Sequence, residues 1–148
     1  MRPTQNGMAV QPTFGMPPHT TLFLHGLGGT ASQFDLMQSW MTDFFGNATP
    51  PMHSLPLFEG TASVDTPMPQ QRNALLAYMM ENVDALNLSA GFNFVAHSQG
   101  ALLARSVIEA LPLTFPPVLS YVSLAGPHTG QYGMCRNLGR WYAARSPL

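Results

Sequence analysis

Lysine is absent from this chain of 148 residues, cysteine occurs once, at Cys135, and no carboxylate follows Glu109. Each gap excludes something. A phosphate-gripping P-loop needs its lysine, and the six basic residues are all arginines, at positions 2, 72, 105, 136, 140 and 145, too dispersed to follow a nucleic-acid backbone. Nucleic acid is therefore not expected as a partner. One cysteine cannot build an internal disulfide framework or a cysteine zinc cluster. Five histidines among seven scattered acids show no ligand spacing either, so neither a metal nor any other cofactor is expected. No apolar run approaches the roughly 18 residues of a spanning helix, so no transmembrane segment is expected. Residues 1–19 lack the unbroken apolar stretch of a signal peptide and, interrupted by proline and glycine, read as a flexible leader. What is there is a sparsely charged chain, 9 % charged and 45 % hydrophobic with a formal net charge of −1, the composition of one globular domain.

The domain is expected over 20–148. Thr20 to Leu24 is a β-rich apolar run ending in His25-Gly26-Leu27-Gly28-Gly29, and reads as a buried strand feeding a loop. Thr30 and Gln33 form a capping-box pattern ahead of Phe34, Met37, Met41, Phe44 and Phe45 at helical spacing. Met52 to Leu57 reads as a second strand and 58–68 as loop. Pro69 to Leu88 reads as a second helix through Leu75, Leu76, Met79, Met80, Val83 and Leu86. A third strand, Phe92 to Ala96, gives way across His97-Ser98-Gln99-Gly100 to a helix from Ala101 to Leu111, stopped by Pro112. Val118 to Leu124 is a fourth strand. Strands alternating with helices imply crossover connections and a parallel sheet with flanking helices, an α/β fold.

The stretch Ala96-His97-Ser98-Gln99-Gly100 lies where a strand turns into a helix. A serine held in a sharp turn there needs small residues two before and two after it, so that strand and helix can approach. Ala96 and Gly100 meet that need, with alanine standing where glycine is commoner. Such a serine is a candidate nucleophile for acyl transfer; the plainer reading is a helix cap. Acyl transfer through serine builds an oxyanion that needs two preorganised N–H donors. One comes from the residue after the nucleophile, Gln99, and the other from a loop after an earlier strand, where Leu27 is the candidate. The plainer reading of that loop is a glycine-rich turn. His25 reads as a loop-ordering side chain, His97 as packed, and His128, directly after the fourth strand, as a loop residue rather than a general base.

These motifs, with Ser123-Leu124-Ala125-Gly126-Pro127-His128-Thr129-Gly130-Gln131-Tyr132-Gly133, resemble palmitoyl-protein thioesterase of the lysosomal type, in the α/β-hydrolase superfamily. The resemblance covers about residues 20–136 and corresponds to the N-terminal half of such an enzyme. It implies an α/β-hydrolase-like sheet, a lysosomal location, and a serine hydrolase cleaving the thioester between a long acyl chain, palmitoyl, and cysteine of S-acylated proteins or peptides. Carried over by position, Ser98 is the nucleophile, and Leu27 and Gln99 give the oxyanion N–H groups. A lipase or ester hydrolase on the same fold and an inactive truncated remnant are the alternatives.

Triads on this fold run Ser, then Asp or Glu, then His, the last two on loops after later strands. After Ser98 the sequence offers only Glu109, about three helical turns or ~16 Å further on, and His128. The expectation is a partial α/β-hydrolase domain that carries the nucleophile and oxyanion loop without the remaining triad. Its fourth strand would be left as an apolar sheet edge.

Overall fold

The computed structural model describes residues 19–130; residues 1–18 of the leader, Gln131 to Gly133 of the last loop, Cys135 and the stretch to Leu148 lie outside the described residues. Four parallel strands form one sheet in the order β2-β1-β3-β4. They are β1 (Thr20–Leu24), β2 (Met52–Ser54), β3 (Phe92–His97) and β4 (Val118–Leu124). Between them run α1 (Asp35–Phe45), α2 (Ala62–Asp65), α3 (Met68–Glu81) and α4 (Gln99–Ile108). This is the α/β class that the alternation predicts.

A central parallel strand is covered on both faces and must be apolar on both. Every residue of β1 is buried. Leu22 and Leu24 join Phe92, Phe94 and Ala96 of β3 in a cluster with Leu75 and Met79 of α3 and Leu103, Ala104 and Val107 of α4. Phe23 points the other way, its ring centroid 5.1 Å from that of Phe34. Among the described residues no helix is long and apolar enough to cross a membrane.

Five local expectations need correction, the simplest being α4, which runs Gln99–Ile108 and not Ala101 to Leu111. Thr30 makes no side-chain cap; a 3-10 turn, Ala31–Phe34, precedes α1, and the Gln33 side chain is drawn away to other partners. Strand β2 ends at Ser54, three residues short of Leu57, because the ladder closes with the Leu55 N–H on the Phe23 carbonyl and Pro56 has no N–H to extend it. The stretch 58–68 holds a short helix, α2. Helix α3 stops at Glu81 rather than Leu88: Asn82 leaves helical geometry at φ −118° and ψ 24°, with its backbone N–H and its side-chain amide both on the Tyr78 carbonyl. Val83 and Leu86 still face inward from a turn, closed by the Leu88 N–H on the Val83 carbonyl.

The strand order fixes where a ligand can sit. Strands β1 and β3 are neighbours, with Leu24 opposite Ala96. The chain leaving β1 returns in β2 on one side, whereas the chain leaving β3 returns in β4 on the other. Connections that diverge from adjacent strands open a crevice at the strands' carboxyl ends. The loops after Leu24 and after His97 both end there.

Candidate active site

Strand β3 ends at His97 and α4 begins at Gln99, leaving Ser98 alone between them with φ 51° and ψ −122°. A positive φ on a residue with a Cβ costs on the order of 1–3 kcal/mol and persists only where the surroundings enforce it. Here the Ser98 N–H donates to the Leu124 carbonyl at 2.9 Å, and the Ser98 carbonyl accepts from the Ala101 N–H at 3.0 Å. The small residues have a steric cause. Helix α4 passes so close over the end of β1 that a Cβ on Gly100 would run into the His25 carbonyl oxygen and stand 2.7 Å from that of Leu24. Ser98 itself is half-buried, and its Oγ makes no hydrogen bond among the described residues.

The loop after β1 turns at once, closed by the Gly29 N–H on the Gly26 carbonyl at 3.0 Å, with Gly28 at φ 70°. It lies directly on the serine turn: a Cβ added to Gly26 would meet Ser98 Cβ and His97 Nδ1, each at 3.0 Å. Leu27 follows, 39 % exposed. Among the described residues its N–H has no acceptor, nor has that of Gln99, which opens α4 where a helix leaves its first N–H groups unsatisfied. The structure thus brings Ser98, Gln99 and the Leu27 loop to one spot.

The other candidates make bonds of their own. His25 is buried with Nδ1 2.9 Å from the Gly26 carbonyl, so it orders its own loop. His97 accepts at Nδ1 from the Gln33 amide at 2.8 Å. His128 places Nε2 2.8 Å from Ser123 Oγ and packs its ring edge-on against Tyr121. Glu109 pairs with Arg105 at 2.9 Å on the exposed side of α4. A cavity of about 550 Å³ lies between α4 and β4, lined by Ile108, Val118, Tyr121 and His128 among others; Ser98 is not one of its walls. No group of three or more metal-ligating side chains occurs among the described residues.

Three polar side chains around the site escape the sequence reading. Gln33 bridges the two loops, accepting from the Gly26 N–H at 3.2 Å while donating to His97. Ser63, on α2, reaches both loops, and the buried Gln71 of α3 supports it. Gln71 left a signal, as a glutamine in helical register with the buried Leu75 and Met79. Ser63 left none, since its partners Gly28 and Gln99 stand far off in sequence, and Gln33 signalled only a helix cap.

A parallel four-stranded sheet with flanking helices and this strand order has the α/β-hydrolase fold. Solved structures agree on the fold. An extracellular α/β-hydrolase from a Paenibacillus species matches with TM-score 0.57 and 17 % identity over 74 % of this chain and 41 % of its own. The thioesterase RedJ of the prodiginine biosynthetic pathway in Streptomyces coelicolor matches with TM-score 0.58 and 22 % identity over 77 % of this chain and 42 % of its own. Within that class, the chain belongs to the palmitoyl protein thioesterase family, whose model matches residues 20–145. Palmitoyl-protein thioesterase 3 of Dictyostelium discoideum is 24 % identical over 112 residues, covering 76 % of this chain. The chain spans 37 % of the length of that relative.

Proposed function

We propose that this chain carries the nucleophile and oxyanion site of a serine hydrolase that removes long-chain acyl groups, palmitoyl in the first place, from cysteine thioesters of S-acylated proteins or peptides. The observation that carries the reading is Ser98 at φ 51° in the turn between β3 and α4, with an unfilled N–H beside it on Gln99 and the glycine loop against its Cβ. Family membership favours the thioester over other acyl groups.

In this reading Ser98 Oγ attacks the thioester carbonyl, and the oxygen that gains charge is held by the N–H groups of Leu27 and Gln99. Collapse expels the cysteine thiolate and leaves the acyl group on Ser98, from which water releases the fatty acid. The proton of Ser98 needs an acceptor; His97 Nδ1 is engaged by the Gln33 amide and His128 Nε2 by Ser123 Oγ. The general base is therefore assigned to neither of them.

The test is hydrolysis of a palmitoylated cysteine peptide, and of the matching oxygen ester, by the chain and by Ser98→Ala. Thioester turnover is expected to fall by ~10³-fold or more in the variant, the scale on which a lost nucleophile is felt. An unchanged rate in Ser98→Ala removes Ser98 from the mechanism, and a clear preference for the ester points to a lipase-type hydrolase on the same fold.

A further inference from the structure

We infer that Ser63 is a positioning residue that sets the spacing between the two halves of the oxyanion site; this rests on the reading of Leu27 and Gln99 as its donors. Ser63 is 4 % exposed and lies on α2, outside both loops. Its hydroxyl accepts from the Gly28 N–H at 2.7 Å and donates to the Gly60 carbonyl at 2.7 Å. Its carbonyl accepts from the side-chain amide of Gln99 at 2.9 Å and from that of Gln71 at 2.9 Å.

With its N–H on the Gly60 carbonyl at 3.3 Å, Ser63 makes five hydrogen bonds, and two of them run to the residues that matter. Gly28 is the residue after Leu27, so holding its N–H fixes the peptide that follows the second donor. Gln99 contributes the first donor through its backbone, and its side chain is tied to the same serine. The segment around Ser63 is itself stitched to the glycine loop by the Gly60 N–H on the Gly29 carbonyl at 2.8 Å and by Glu59 Oε1 on the Ala31 N–H at 2.6 Å. Buried Gln71 closes the support, donating also to the Thr66 carbonyl at 2.6 Å. The loop and the elbow come from strands 1 and 3 of the sheet, and Ser63 bonds to both.

An oxyanion site works only if its donors are already placed where charge develops, and a misplacement of about 1 Å costs roughly 100-fold. Ser63→Ala frees the Gly28 N–H; Gln99→Met frees the other side while keeping the Gln99 backbone N–H. Each variant is expected to lower kcat for thioester hydrolysis roughly 10- to 100-fold with KM changed less than about threefold, because the donors act on the transition state rather than on the bound acyl chain. Ser63→Ala should also speed hydrogen exchange at the Gly28 amide, read by NMR, while the exchange of β1 and β3 amides stays as in the parent. A kcat within twofold of the parent in either variant, or a KM that rises as far as kcat falls, overturns the inference. So does unchanged exchange at Gly28 in Ser63→Ala, whatever the activity does. Ser98→Ala run alongside keeps the two readings apart: activity surviving in that variant sinks the nucleophile, whereas Gly28 exchange decides on Ser63 independently.

Discussion

Two residues with opposite steric demands make the turn at Ser98. The serine is held at φ 51°, where its own Cβ is strained, and Gly100 is there because a Cβ would collide with the end of β1. Gly100→Ala should therefore destabilise the fold by about 3 kcal/mol, the upper end of what overpacking costs, read from the urea midpoint. A change below ~0.5 kcal/mol would show that α4 is free to move away from β1. The small-x-Ser-x-Gly pattern was legible in sequence because this constraint acts between near neighbours. Ser63 was not legible, because what makes it matter is a bond to Gly28 and another to Gln99, 35 and 36 positions away. Gln33 misled for the same reason: its capping-box spacing from Thr30 is correct, yet the amide finds better partners in Gly26 and His97.

At the scale of elements, burial decides which helix faces carry stability. Helix α3 turns Leu75 and Met79 into the core, fully buried. Helix α1 has no buried residue, and Leu36, Trp40 and Phe44 recur every four positions on its exposed side. Leu75→Ala is expected to cost about 2–5 kcal/mol in thermal or chemical unfolding, through lost transfer energy and the cavity left behind. Trp40→Ser should stay within about 0.5 kcal/mol, as exposed substitutions do. If the two variants lost similar stability, α1 would be packed against something on its outer side. Element types were readable from apolar periodicity, and all four strands lie where that periodicity puts them. Ends were less readable, because Asn82 and Pro56 stop α3 and β2 through hydrogen bonding that a periodic pattern does not register.

The whole molecule places its chemistry by topology. Reversal of strand order between β1 and β3 puts the glycine loop and Ser98 at one crevice; the alternation of strands and helices foretells a parallel sheet, not its order. The path of the sheet ends, among the described residues, at β4, where Leu119 and Val122 stand exposed. Among the described residues, the two that follow Ser98 in triad order have other partners: Glu109 is paired with Arg105 and His128 with Ser123. Within this arrangement Ser98 is the one side chain on which the proposed chemistry depends. The most direct measurement is peptide mapping by mass spectrometry after treating the chain with a fluorophosphonate, which reacts with a serine activated by a base beside a formed oxyanion site. A single adduct on the peptide containing Ser98, lost in Ser98→Ala and slowed in Ser63→Ala, is the predicted result. An adduct on another serine, or labelling that persists undiminished in Ser98→Ala, would contradict it.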